Sequence, residues 1–235
     1  MARVSSSTPI VALDVASAPE AMTIVDELGA SCRFYKVGSE LFTGVGPAIV
    51  AALRDRGCDV FLDLKLHDIP TTVAGAVRTA AALGARLVTV HATGGEAMLS
   101  AAVSSAGDQT KCGVLAVTVL TSLASRDVAG AWGRPDALDL STEVQRLAAM
   151  VANVGAHGVV CSGREARGVR DRYGDALRVL VPGVRPAGAA TQDQARSVTA
   201  REAAEAGASY VVIGRAVTQA PDRAHAFEAM LRELG

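Results

Sequence analysis

The sequence predicts an α/β protein, a single-domain (β/α)8 TIM barrel spanning residues 1–235, on three observations. Eight short runs rich in Val, Ile and Leu recur along the chain, Ala-rich stretches of helical character separate them, and several of those stretches open with Pro and close with Gly. Near-continuous apolar runs suit strands buried on both faces of a parallel sheet. Eight strand–helix units in 235 residues suit a closed barrel. A doubly wound open sheet is the alternative on pattern alone. No G-x-G-x-x-G follows the first run, which counts against the dinucleotide-binding version of that sheet.

The strand candidates, in order, are PIVALDV (9–15), RFYKVG (33–38), DVFLDLK (59–65), RLVTVHA (86–92), KCGVLAVTVL (111–120), HGVVCSG (157–163), LRVLVPGV (177–184) and SYVVIG (209–214). The helix candidates between them follow their punctuation. PEAMTIVDELG (19–29), GPAIVAALRDRG (46–57) and PTTVAGAVRTAAALG (70–84) carry Pro near the start and Gly at the end. STEVQRLAAMVANVG (141–155) opens like a capping box, with Glu143 two residues after Ser141. TAREAAEAGA (199–208) and PDRAHAFEAMLREL (221–234) complete the pattern. Residues 121–140 and 185–198 read as long loops, and the small residues of the second suit a lid.

Composition limits the function classes. Aromatics make up only 3%, so Ala, Val, Leu and Ile must fill the core. A net charge of -1 gives no bulk field that would favour nucleic acid or an anionic membrane, so an anionic ligand has to be caught by local positive charge. Cys32, Cys58, Cys112 and Cys161 show no metal-ligand spacing and read as buried, reduced thiols. The opening MARVSSSTP lacks the apolar segment of a secretory signal, and no apolar run approaches the roughly 20 residues of a membrane span. A cytoplasmic protein with a flexible tail at residues 1–8 is expected.

In such barrels, sites form where strands end and loops begin. The polar residues at those ends are Asp14, Lys36, Asp63, Lys65, Asp68, His91, Thr118, Thr121, Ser122, Pro182, Arg185, Gly214 and Arg215. Asp63 and Lys65 are two apart and, by strand alternation, face the same way, with Leu62 and Leu64 turned to the helices. Lys36 ends the neighbouring strand. Burying several ions as mere structure costs more than it returns, so the group reads as functional. A lysine between carboxylates is a poised acid, and a carboxylate fixed beside a substrate carboxylate would raise the energy of the bound ground state. Asp63 and Asp68 holding a divalent metal is the competing use, although Lys65 between them would oppose the metal's charge. His67 and His91 read as structural histidines. At the eighth strand end, Gly214 lets a backbone approach an anion and Arg215 can clamp it, with Arg185 closing from the base of the lid.

DLKLHDIPTTV (63–73) resembles the signature of the orotidine 5′-phosphate decarboxylase family. VALDV, YKVGSELFTGVGP, VHATGGEAM, AVTVLTS, GVVCSG, VPGVRP and YVVIGRAVTQA look like family segments, in order, over nearly the whole chain. The D-x-K-x-x-D element alone is shared with related barrels such as hexulose-phosphate synthase. HDIPTTV together with VPGVRP, Gln194 and IGR is more specific.

The resemblance implies a reaction, orotidine 5′-phosphate to UMP and CO2, with no metal and no organic cofactor. It also implies roles. Asp14 binds the ribose, and Lys36 bridges ribose and charge array. Asp63 faces the substrate carboxylate, and Lys65 protonates C6. Asp68 and Thr72 reach into the partner subunit's site in a homodimer with shared active sites. Thr121 or Ser122 contacts the pyrimidine, and Pro182 lines the base pocket. Arg185, Gln194, Gly214 and Arg215 hold the phosphate, with 185–194 as the lid; Gln192 is the other candidate for the Gln194 role. Two other classes compete with this reading. One is a Mg-dependent sugar-phosphate aldolase or decarboxylase of the same barrel group. The other is a catalytically silent nucleotide-binding barrel, against which the intact Asp63, Lys65 and Asp68 argue.

Overall fold

The computed structural model describes residues 7–186 and 198–235. The strands are β1 (Thr8–Leu13), β2 (Phe34–Gly38), β3 (Asp59–Leu66), β4 (Leu87–His91), β5 (Gly113–Val117), β6 (Gly158–Val160), β7 (Arg178–Val184) and β8 (Tyr210–Ile213). They pair in parallel in chain order, and β8 closes on β1 through Thr8 opposite Tyr210 and Ile10 opposite Val212. That closure excludes the open-sheet alternative. The helices are α1 (Ala18–Leu28), α2 (Ser39–Val45), α3 (Ala48–Asp55), α4 (Pro70–Ala82), α5 (Gly95–Ala106), α6 (Ser125–Ala131), α7 (Leu140–Asn153), α8 (Gly163–Tyr173), α9 (Ala200–Glu205), α10 (Arg215–Thr218) and α11 (Arg223–Leu234).

Strand alternation divides the core in two. Val11, Leu13, Tyr35, Val37, Val60 and Leu62 face outward and pack under the helices. Ile10, Ala12, Phe34, Phe61, Leu87 and Leu115 belong to a separate cluster that fills the barrel interior. Fully burying a Leu, Ile or Phe contributes about 1.5–3 kcal/mol, so these two clusters supply most of the drive to fold. With so few aromatics, Ala-rich helices do the covering, and α4 and α5 pack against each other through such small side chains.

The amino-terminal end of the barrel interior is closed by a polar and aromatic plug. Phe34 meets Tyr210 edge-on at 6.4 Å, and His157 Nε2 lies 2.9 Å from the Tyr210 hydroxyl. The His157 ring lies against Gly113, where a Cβ would come within 2.6 Å of it. Burial, together with the nearby guanidinium groups of Arg86 and Arg178, pushes the His157 imidazole down to about 4.

The structure corrects several sequence expectations. β1 begins at Thr8, and Ser7 is buried with its hydroxyl donating to the Ala208 carbonyl, so the tail expected at 1–8 does not include these two residues. Residues 1–6 and most of the expected lid lie outside the described residues. The stretch 121–140 is not simply a loop: it contains α6, whose start is tied by Asp127 accepting from the Ala124 amide at 2.8 Å. α7 is capped by Asp139, which accepts from the Ser141 amide, rather than by a box at Ser141. The helices α5 and α8 carry no opening Pro, and the α8 cap, Ser162, sits inside the apolar run read as strand six. The runs at 111–120 and 157–163 outlast their strands because Val119 and Cys161 stay buried past the strand ends, where the Cys161 amide still donates to the Leu180 carbonyl at 3.2 Å.

His157 predicts an acid limb of stability. Its folded-state value lies below the ordinary 6.5, so the unfolded chain takes up a proton first as pH falls. Stability from this group is complete above pH 6.5 and is lost between 6.5 and about 4. Thermal unfolding followed across that window should show a loss on the order of 2 kcal/mol that is flattened in His157→Gln.

Candidate active site

The layering of the interior places the polar groups. In β1, Ala12 faces inward and Asp14 follows two residues later; in β2 Phe34 is followed by Lys36, and in β3 Phe61 by Asp63. Leu87 and Thr89, Leu180 and Pro182, and Val212 and Gly214 repeat the step on β4, β7 and β8. One inner layer is therefore apolar, and the next layer toward the carboxyl ends is polar. Side chains of that layer wall a cavity of about 600 Å³ that reaches down to Ala12, Phe61, Leu180 and Val212 of the apolar layer. Asp14, Lys36, Asp63, Lys65, Thr121, Pro182, Arg185, Gly214 and Arg215 all line it.

Asp14, Lys36, Asp63 and Lys65 form one alternating array. Lys36 Nζ donates to Asp14 Oδ1 at 2.6 Å and lies 3.6 Å from Asp63 Oδ2. Lys65 Nζ donates to the same Asp63 Oδ2 at 2.8 Å. The side chains of Lys36 and Asp63 are only 10% and 13% exposed, against 59% for Asp14, so the centre of the array is the part removed from water. Burial by itself would raise the Asp63 carboxyl. The ammonium groups of Lys36 and Lys65, with hydrogen bonds from Lys65 and Thr89, outweigh it and hold the carboxyl below its usual range. Gly38 makes room: a Cβ there would sit 3.0 Å from both Asp14 Oδ1 and Lys36 Nζ.

Simple alternation does not bring Lys65 to Asp63. Between Leu62 and Leu66, β3 advances four residues while β4 advances two, from Val88 to Val90. Lys65 sits in that bulge with φ at 50°, the left-handed region, and is the one non-glycine with positive φ among the described residues. Bulges at strand ends re-aim side chains, and this one turns the lysine over the cavity. A second shift, on β7 between Val181 and Val184, holds Pro182 and Gly183, and Pro is tolerated in a strand at such a place.

Other expected residues stand elsewhere. Ser122 is exposed and does not line the cavity, whereas Thr121 does, so the structure separates the two. Asp68 and Thr72 are exposed at the start of α4, outside the cavity of their own chain. Asp68 accepts from the Ile69 amide at 2.6 Å, and Ile69 beside it is 64% exposed. Gln194 and Gln192 lie outside the described residues. Strand β3 ends before His67, which is exposed and whose ring lies tilted beside that of His91, the centroids 5.4 Å apart. Burial, then repulsion from His67 and Lys65, lowers the His91 imidazole below its ordinary value. Among the described residues, no three His, Cys, Asp or Glu side chains come together as a metal-ligand set.

A family model described as "Orotidine 5′-phosphate decarboxylase / HUMPS family" matches residues 7–230. The chain belongs to this family. Its relatives include the orotidine 5′-phosphate decarboxylase of Anaeromyxobacter sp. (strain K), 51% identical over 221 residues, which cover 93% of this chain and 92% of the relative. That of Alkalilimnicola ehrlichii is 47% identical over 234 residues, 98% of this chain and 97% of the relative. The crystal structure of orotidine 5′-phosphate decarboxylase from Lactobacillus acidophilus matches with a TM-score of 0.84 at 34% identity, covering 97% of this chain and 99% of the other. The family resemblance read from DLKLHDIPTTV therefore holds over the full barrel.

Sequence reasoning missed Thr89. It is fully buried, and its hydroxyl donates to Asp63 Oδ1 at 3.0 Å while accepting from the Lys65 amide at 2.9 Å. The signal was present in LVTVH, where one hydroxyl interrupts an otherwise apolar strand on the inward-facing phase.

Lys36 is the most buried charge of the array and serves two carboxylates. Lys36→Met should lower unfolding free energy by about 3 kcal/mol, because it strands a buried carboxylate with one cation fewer. Urea denaturation of the variant against the parent measures this.

Proposed function

We propose that this chain decarboxylates orotidine 5′-phosphate to UMP and CO2, the pyrimidine-forming reaction for which its relatives are named, without a metal or organic cofactor. The observation that carries the reading is the single carboxylate, Asp63, held in the cavity wall by two ammonium groups, 2.8 Å and 3.6 Å away. Such a site presents a fixed negative charge and a mobile proton side by side.

The chemistry follows from that pairing. The substrate carboxylate on C6 sits toward Asp63. Two like charges about 4 Å apart repel by about 4 kcal/mol at an effective dielectric of 20, and each 1.36 kcal/mol is worth about tenfold in rate. The repulsion is present with bound substrate and disappears as the C6–carboxyl bond breaks and neutral CO2 leaves. The bonding pair stays on C6. Lys65 Nζ gives its proton to C6 and is left as a neutral amine, which solvent reprotonates. The bulge aims this lysine, and Asp63 keeps its ammonium oriented until the carbanion-like charge draws the proton away.

The rest of the cavity serves binding. Asp14 and Lys36 take the ribose hydroxyls, Thr121 and Pro182 meet the pyrimidine, and Arg185, Gly214 and Arg215 take the phosphate. Phosphate binding energy, used away from C6, holds the base against the array. Asp68 and Thr72, exposed beside the apolar Ile69, suit contribution to the facing site of a homodimer. The Mg-dependent alternative must place a cation where Lys65 Nζ already meets Asp63.

Loss of orotidine 5′-phosphate absorbance with purified protein in EDTA tests the reading. Turnover should be undiminished by EDTA and abolished in Lys65→Ala, with UMP affinity kept within about threefold since the lysine acts on the transition state. Activity that needs Mg2+, or substantial turnover in Lys65→Ala, overturns it.

The shared-site reading makes a separate forecast. Asp68→Ala and Lys65→Ala subunits, each inactive alone, should regain about a quarter of parent activity when mixed, because half the dimers are hybrids with one intact site each. Confirmed hybrids without recovery would rule out sharing.

A further inference from the structure

We propose that Thr89 is a positioning residue for the reaction: its hydroxyl couples the Asp63 carboxylate to the backbone of Lys65 and so sets where the proton-donating ammonium stands. The inference rests on the decarboxylase reading above. It assigns to β4 a part in the site.

Three observations carry it. The Thr89 hydroxyl uses both of its hydrogen-bonding capacities inside the array, donating to Asp63 Oδ1 and accepting from the Lys65 amide. It is fully buried, so no water competes for either bond. The amide it accepts from belongs to the residue at φ 50° in the stretch where β3 and β4 lose register. Within that stretch the Lys65 amide is satisfied by a side chain of β4, in place of the regular ladder. An L-residue keeps a left-handed conformation only where its surroundings hold it there. The Thr89 hydroxyl is the contact that does so on the backbone side, and the Lys65–Asp63 ion pair does so on the side-chain side. Asp63 Oδ1 is meanwhile committed to Thr89, which leaves Oδ2 for the two lysines. One hydroxyl thus fixes the rotation of the carboxylate and the direction of the lysine together.

Thr89→Val keeps the shape and removes both bonds, so it isolates the hydroxyl. With Lys65 free to leave its bulge conformation, kcat should fall by roughly 100-fold, the scale expected of a reacting group displaced by about an ångström. KM for orotidine 5′-phosphate and affinity for UMP should stay within about threefold, since Thr89 does not line the cavity. Thr89→Ser, which restores the hydroxyl, should recover most of kcat. The acid limb of the kcat profile should move to higher pH in Thr89→Val, because Asp63 loses a donor while still facing Lys36 from β2, Lys65 from β3 and His91 from β4.

If Thr89→Val fails to fold, Thr89→Cys fills nearly the same volume with a weak donor and should still lose more than tenfold in kcat. Folding is checked by circular dichroism and UMP binding. Parent-level kcat in either folded variant, or equal loss in Thr89→Ser and Thr89→Val, overturns the positioning role. A parent protein that does not turn over orotidine 5′-phosphate instead overturns the reading on which it rests.

Discussion

A carboxylate taken out of water needs cations, and Asp63 has two of them on one oxygen. Desolvating an ion costs several kcal/mol, and the barrel recovers that cost only with the lysines in place. Much of the rim serves this requirement. Gly38 leaves space for Lys36 and Asp14, Thr89 occupies the second carboxylate oxygen, and the β3 bulge brings Lys65 across. The array of Asp14, Lys36, Asp63 and Lys65 carries no net charge, yet its parts are far enough apart to present opposite signs to different atoms of a ligand.

The apolar layer beneath makes this arrangement stable. Phe61, Leu87, Leu115 and Leu180 form a closed floor below the charges, and the Tyr210–His157 pair stoppers the other end. Charges above a dry floor interact more strongly than charges in water. The same floor is part of what keeps the barrel folded, so core and site are consecutive layers of one set of strands. A substitution in Phe61 or Leu87 would therefore be felt in the charges directly above it.

Most of the fold was legible in the sequence because eight buried strands leave eight apolar runs, and several of the helices between them carry Pro near the start or Gly at the end. The charge array was legible for the same reason: Lys36 and Asp63 continue the inward phase set by Phe34 and Phe61. What escaped depends on contacts between segments more than on local pattern. α6 is held by a side chain reaching back to the Ala124 amide, and its apolar content is slight. The bulge at Lys65 depends on how β3 meets β4, a relation between strands some 25 residues apart that no single-strand period records. Alternation placed Lys65 beside Asp63 for the wrong reason, since it presumed a regular strand where the register slips. Thr89 showed only as a lone hydroxyl on the inward phase of LVTVH, and its partners, on the neighbouring strand, could not be read from that run. The choice between Thr121 and Ser122 needed the three-dimensional path of the chain after β5, which turns one toward the cavity and leaves the other in solvent.

The left-handed backbone at Lys65 sets a limit on how this protein can be improved. Glycine or asparagine would adopt φ 50° with less strain, and neither carries an ammonium group. Relief of backbone strain at this position would therefore come with the loss of one of the two cations that hold Asp63. Consensus-style stabilisation of this barrel should leave position 65 untouched and look for its gains on the outer helices, where no strained residue stands among those described.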